Sequence, residues 1–269
     1  VAMMDCKKAL VESNGDIEKA VDLLRSNSAL KAEKKSSCVA ADGVLVLSMG
    51  DDYASMVELN SETDFASKDS NFLAFGEKVK NYISENKITE PLAFLDTEIE
   101  EERKSLVQTI GENIQLRRVE TIDFNNDMQI GSYLHSDSKL GAIVSINGGN
   151  EQVAKDIAMH VAAFNPLCLS KDDISIDILE REKAIFENQA KDSGKPKEIM
   201  EKMIEGKIKR FLSEVSLLSQ SFVKDSEITI EEYLASNEAT IKAFARLKVG
   251  EGIEVETKDF AEEVAEQLK

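Results

Sequence analysis

Apolar positions recur along this 269-residue chain with periods that change from place to place, and the changes mark its elements. Near the start, Leu10 shares a helical face with Met3 and Cys6. Ile17, Ala20, Val21 and Leu24 form a second stripe, so residues 3–35 read as helices. Asn14-Gly15 supplies the turn between them, and Asp16 is placed to N-cap the second helix. The polar run from Lys31 to Ser37 reads as a linker. Beyond it, residues 43–48 and 53–60 pattern as a β-hairpin. Helices at 71–84 and around 92–109 follow, then a strand at 114–119. The order then repeats. A hairpin at 131–135 and 141–147 leads to a helix at 151–164, a long helical excursion and a strand at 241–249. Ser55-Met56-Val57-Glu58-Leu59-Asn60 and Gly141-Ala142-Ile143-Val144-Ser145-Ile146-Asn147 are both β-branched or apolar runs closed by Asn and followed by an acidic helix start. Hairpin-connected strand–strand–helix–strand units predict an α+β fold with an antiparallel core written twice.

In the excursion Ile204, Ile208, Phe211, Val215 and Leu218 are spaced 4, 3, 4, 3, a heptad seam. The preceding helix offers pairs seven apart, Ile178 with Ile185 and Leu179 with Phe186. Asp192-Ser193-Gly194-Lys195-Pro196 lies between, with Gly suited to end one helix and Pro to begin the next. An antiparallel helical hairpin at about 173–222, projecting from the second half, is expected; the alternative lays both helices flat on the core. Phe260, Val264 and Leu268 predict a terminal helix whose stripe must pack on this core or on a partner. The expected units are thus 1–35, 38–124, 125–249 and 250–269.

The junction Glu62-Thr63-Asp64-Phe65-Ala66-Ser67-Lys68-Asp69 joins the strand ending at Asn60 to the helix carrying Phe72, Phe75, Val79 and Ile83. An acid and an aromatic therefore sit side by side where backbone donors are unpaired and side chains can project. One reading has Asp64 capping the helix and Phe65, seven residues before Phe72, extending its buried stripe. The other leaves the pair exposed for recognition.

Charge narrows the function. Lys and Arg number 33 against 51 Asp and Glu, a net charge of −18, with no basic arm. Direct nucleic-acid binding is not expected of such a chain, because that affinity rests on Lys and Arg clusters. Cys6, Cys38 and Cys168 are odd in number and far apart, which fits a reducing cytosol and no disulfide framework. The longest apolar runs fall short of the ~18 residues a membrane span needs. No signal peptide is visible, although the chain opens abruptly enough for a leader to precede it.

A catalytic constellation is hard to assemble. His160 falls between Ile157 and Phe164 on one helical face and is expected to be half-buried and satisfied; His135 ends a hairpin strand and should be exposed. The cluster Glu98, Glu100, Glu101 and Glu102 opens a helix beside Arg103 and Lys104 and reads as a solvated face. Gly148-Gly149 and Gly250-x-Gly252 lack a phosphate-loop or dinucleotide fingerprint and read as turns. No cofactor, metal or nucleotide is expected on the chain itself.

Six motifs occur in one order: Met3-Met4-Asp5-Cys6-Lys7-Lys8-Ala9-Leu10, Thr63-Asp64-Phe65, Gly111-Glu112-Asn113-Ile114, Ile157-Ala158-Met159-His160-Val161-Ala162-Ala163, Ser193-Gly194-Lys195-Pro196-Lys197-Glu198 and Val249-Gly250-Glu251-Gly252-Ile253. Together they resemble the bacterial elongation factor Ts family, the nucleotide exchange factors of elongation factor Tu. The resemblance implies a ubiquitin-associated-like helical module at 1–35, opening here inside what would be its first helix or the turn after it, and a protruding coiled coil in the excursion. It implies a non-enzymatic, cytoplasmic factor that binds elongation factor Tu and promotes GDP release, with an assembly of two factors and two partners also open. Thr63, Asp64, Phe65 and Ala66 match the segment that dislodges the partner's Mg²⁺; Ala66 stands where the family usually has Val. Lys7, Ile110, Gly111 and His135 match partner contacts. A non-exchanging adaptor built on the helical module and hairpin is the alternative, and a metal-dependent hydrolase using the clustered glutamates ranks below both.

Overall fold

Asn14 and Gly15 both take positive φ, 53° and 83°, making the turn their sequence predicts. They separate α1 (Met3–Glu12) from α2 (Ile17–Lys35). Asp16 caps α2 by accepting the Lys19 N–H. The computed structural model describes residues 3–191 and 196–254. The expected helix bearing Phe260, Val264 and Leu268, and the turn at Ser193-Gly194-Lys195, lie outside the described residues.

Two expectations for this region are corrected. The stretch read as a linker is helical through Lys35, because α2 packs along α5 (Glu98–Ile110) and Ala32 is buried in the first core. Small residues, Ala9, Ala20, Ser28 and Ala32, bury where these helices pack, while Leu10, Ile17 and Val21 stay exposed. Close helix packing was met by alanine and serine, and the larger apolar groups face out.

The first sheet contains β1 (Asp42–Met49), β2 (Tyr53–Ser61) and β3 (Gln115–Asp123), all antiparallel in that spatial order. The second contains β4 (Met128–Leu134), β5 (Leu140–Gly148) and β8 (Ala239–Lys248), also antiparallel with the middle strand second in the chain. Both sheets carry a register shift against the third strand, at Glu58/Leu59 and at Ser145/Ile146. Those bulges put Leu116 and Val119, three apart, on one face, and Ile241 and Phe244, three apart, on the matching face of the other sheet.

Alternation along the strands divides the apolar residues into three cores. Val46, Val57 and Leu59 point outward to α5 and α4 (Ser70–Glu85), whose Phe72, Phe75, Val79 and Ile83 are buried as the stripe predicts. Leu45, Ala54 and Met56 point inward and meet Ile143 and Leu247 of the second sheet. Ala142, Val144 and Ile146 point outward to α6 (Glu151–Phe164) and α9 (Ile230–Ser236). The layers are therefore helix, sheet, sheet, helix. At Gly131 of β4 a Cβ would lie 2.0 Å from the Ala154 carbonyl oxygen, so α6 can seat on this strand only because no side chain is there.

Buried polar groups fasten the layers. Glu58 is fully buried and accepts from Arg117, Arg118, Asn60 and the Gly250 N–H, which pins the Gly250–Gly252 turn to β2. Burial pushes its carboxyl up, but the Gly250 amide and the Arg118 guanidinium outweigh that and hold it below the usual range. His160 is fully buried, not half-buried: Nδ1 accepts the Val223 N–H at 3.2 Å, so Nε2 carries the proton and donates to Gln220 at 2.9 Å. Burial lowers its pKa, which keeps it neutral. Glu100 likewise departs from the solvated face predicted for its cluster. It is buried and grips Arg103 at 2.7 and 2.8 Å, and Arg103 in turn donates to the Ile114 carbonyl. The predicted helix around 92–109 also divides: a 3-10 turn at Pro91–Phe94 precedes α5, and Asp96 at φ 63° breaks the path between them.

In the excursion, α7 (Ile176–Lys191) pairs with α8 (Lys197–Val215), with Phe186 edge-on to Phe211 at 6.4 Å. Leu179 and Phe186 take the inner face, whereas Ile178 and Ile185 are exposed. The seam ends at Val215. Leu218 packs on the second core, and Leu217 and Phe222, inside the segment expected to project, are buried there. After them the two-stranded ribbon β6 (Ser221–Phe222) and β7 (Asp225–Thr229) leads into α9.

Candidate partner-binding corner

After β2 the chain does not enter α4 directly. Thr63, extended at φ −127° and ψ 159°, caps a single turn, α3 (Asp64–Ser67), by accepting the Ala66 N–H at 3.3 Å. Asp69 then caps α4 through the Asn71 N–H at 2.8 Å. The cap roles thus belong to Thr63 and Asp69 and not to Asp64. Because one helical turn spreads four side chains around its axis, Ala66 and Ser67 turn inward and are buried while Phe65 turns out and is 83% exposed. The buried-stripe reading of Phe65 is therefore incorrect. The second half has no counterpart: β5 reaches α6 through Gly149-Asn150 alone, with Gly148 and Gly149 both at positive φ. The corner is an addition at one of the two matching strand-to-helix junctions.

Asp64 beside Phe65 is ionised. Lys68 Nζ donates to its Oδ2 at 2.7 Å, and that contact holds the carboxyl below its ordinary value, with a smaller contribution from Lys139. In solvent such a pair adds little stability. It presents an acid that exchanges partners at small cost.

The structure brings two other predicted segments to this end of the sheet. Gly111 ends α5 in the left-handed region at φ 87°, its N–H on the Val107 carbonyl; a Cβ there would meet nothing, so the backbone angle alone calls for glycine. Ile110 precedes it, partly buried on the first core. The next residue, Glu112, reaches the corner and accepts from Thr63. On the other side His135 immediately follows β4, exposed, with Nδ1 2.9 Å from Asp137. The His135–Lys139 turn docks on β1: the Leu45 N–H donates to Ser138, and Lys139 pairs with Asp42 at 2.8 Å. Asp42 lies opposite Ser61, two residues before Thr63. Thr63–Ala66, Ile110–Gly111 and His135 are therefore gathered at one end of the sheet. Lys7 belongs to another group, a shallow apolar surface on α1 shared with Met3, Cys6, Leu10 and Val11.

Sequence reasoning missed the residues that hold the corner. Glu62, Glu112, Asn113 and Lys35 meet there across 27 to 51 residues of chain. Glu62 fell inside the junction and Glu112 and Asn113 inside a family motif, but nothing in the sequence paired them. Among the described residues no group of His, Cys, Asp or Glu is placed to hold a metal ion, and no helix is long and apolar enough to cross a membrane.

The model of the family described as Elongation factor TS matches residues 62–251, most of the chain. The chain is 47% identical to Elongation factor Ts of Hahella chejuensis, covering 100% of this chain and 94% of that protein. It is 47% identical to that of Psychrobacter arcticus, with 98% and 91% covered, and 48% identical to that of Francisella tularensis subsp. novicida, with 99% and 93% covered. A match of this extent, with the acid–aromatic corner inside it, shows that the chain belongs to the elongation factor Ts family.

Proposed function

We propose that this chain is the guanine-nucleotide exchange factor of elongation factor Tu, acting in bacterial cytoplasm by protein contact and without covalent chemistry. The observation that carries the reading is Phe65, an aromatic ring 83% exposed beside an ionised Asp64 on a corner fixed by a sheet and two helix caps. An acid and an aromatic held out together on a rigid corner suit recognition of a partner.

The mechanism is coupling. A protein that binds the nucleotide-free partner better than the GDP-bound partner weakens GDP binding by the same factor. The partner's GDP is held in part by a Mg²⁺ that bridges phosphate oxygens and keeps several waters. Asp64 and Phe65 would enter beside that ion and displace its surroundings, with Thr63 setting the corner and the small Ala66 beneath it. Ile110–Gly111 and His135 flank the same approach, and Lys7 with the α1 surface would give a separate handhold.

The same reading assigns the modules. Residues 1–35 form the ubiquitin-associated-like module, 38–124 and 125–249 a duplicated core, α7 and α8 a protruding coiled coil, and 250–269 a C-terminal module. Recurrence of strand order and bulge supports the duplication. Pairing of α7 with α8 through Phe186 and Phe211 supports the coiled coil. The test mixes the chain, in catalytic amounts, with elongation factor Tu carrying fluorescent GDP. Accelerated release is expected; binding without acceleration would instead make the chain an adaptor.

A further inference from the structure

Two backbone corners meet beside the wedge, and each gives its amide to the other's carboxylate. Thr63 donates its N–H to Glu112 Oε2 at 2.9 Å and its hydroxyl to Oε1 at 2.7 Å. In return the Asn113 N–H donates to Glu62 Oε1 at 2.6 Å, which also receives Lys35 Nζ at 3.2 Å. The Asn113 side chain donates to the Cys38 carbonyl at 2.7 Å, so the end of α2 joins the clamp.

The Thr63 hydroxyl links the clamp to the helix cap, and what the cap needs from it is a lone pair free for the Ala66 N–H. The hydroxyl hydrogen is taken by Glu112, which turns a lone pair toward the Ala66 N–H and completes the cap of α3. Four residues of helix cannot hold themselves, since a nucleus fixes many dihedrals for one bond. Nor can packing of Phe65 hold them, because that ring is in water. The inward packing of the small Ala66 and Ser67 seats the turn, and the cap, with what orients the cap, fixes its direction.

We infer that Glu112 is a positioning residue for exchange: through Thr63 it holds α3 in the orientation that presents Phe65 and Asp64. The inference rests on the function proposed above. Its action is assigned to hydrogen bonding, because its two oxygens accept the Thr63 N–H and hydroxyl; its charge, which also favours the protonated form of Lys35, is what the Gln variant below removes.

Two full-length variants test this. Glu112→Ala removes both contacts. Glu112→Gln keeps both without charge, its carbonyl accepting the Thr63 N–H and its amide donating to a rotated Thr63 hydroxyl. In Glu112→Ala, fluorescent-GDP release at saturating factor is expected to fall about tenfold, or ~1.4 kcal/mol. The half-saturating concentration should change by less than about twofold, since the wedge orients and contributes little to docking. Amide hydrogen exchange at Ala66 and Ser67 should quicken in the same variant, and Glu112→Gln should restore both readouts. In a Phe65→Ala background the Glu112→Ala change should add clearly less than its own tenfold defect, because only the presentation of Asp64 is left to lose.

A Gln variant as impaired as the Ala variant would overturn the inference, since Glu112 would then act by charge on the partner. So would unchanged hydrogen exchange in Glu112→Ala, or a full extra defect in the Phe65→Ala background. Should the unmodified chain fail to accelerate release, the proposed function falls by itself. Hydrogen exchange would then decide whether Glu112 holds the corner.

Discussion

Replacing Phe65 by Ala separates a wedge from a core residue. In the free protein the ring is 83% exposed, so truncation leaves no cavity and should change stability by less than about 0.5 kcal/mol. Phe72, seven residues on and fully buried, would cost about 3–5 kcal/mol for the same substitution. In the complex the balance reverses. Fully burying a Phe ring is worth about 1.5–3 kcal/mol, and most of this ring's surface is available for burial. The transition state for GDP release should therefore lose about 1–2.5 kcal/mol, roughly a fivefold to seventyfold slower release. Thermal melts of the two variants and stopped-flow release of fluorescent GDP at saturating factor measure both sides. A Phe65→Ala protein that melts many degrees lower, yet exchanges normally per folded molecule, would refute the reasoning.

Two further predictions concern the frame. Glu58→Gln should destabilise the fold by about 3 kcal/mol, the low end for breaking a buried ion pair, because Arg117 and Arg118 retain 24% and 29% of their side-chain surface in water. Since the folded carboxyl titrates below its ordinary 4.5, its stabilisation is complete above that value and is lost as pH falls through the lower one. Acid denaturation of Glu58→Gln should accordingly be flatter below about pH 4.5, and an unchanged acid limb would contradict the role given to Glu58. Excising residues 176–213 with a short Gly/Ser link should preserve cooperative unfolding, whereas a cut extending through Phe222 should abolish it by removing Leu217 and Phe222 from the second core. Equal melts of the two deletions would show that those residues hold nothing together.

Much of this was legible in the pattern of residues. Apolar and β-branched runs located both hairpins, whose middle strands are buried on both faces, and the 3.6-period stripes located α4 and α6, each of which buries one face against a sheet. Repetition of the strand order was visible for the same reason. The linker at 31–37 was misread because α2 packs through Ala32, and alanine leaves almost no hydropathy signal. Glu100 was misread because its partner Arg103 lies one turn away on the same helix, where a buried pair and a solvated one have the same spacing. At the candidate site the acid and aromatic were apparent in sequence, but their exposure was not. Phe65 stands seven residues from Phe72, a spacing that predicts burial unless the chain changes direction between them. It does so at the second cap, Asp69, and the clamp on Thr63 joins residues too distant in sequence to suggest a contact.

The central claim is that exchange works by discriminating against the Mg²⁺-bound, GDP-bound partner, and Asp64 tests it most directly. A ligand shifts an equilibrium only by its differential interaction with the two states. Asp64→Ala should therefore slow fluorescent-GDP release from elongation factor Tu strongly, about tenfold, in millimolar Mg²⁺. With the ion already removed by chelator, the state that Asp64 discriminates against has lost its distinguishing feature, and the defect should shrink to about twofold or less. An equal defect with and without Mg²⁺ would contradict the account and leave Asp64 a docking contact only.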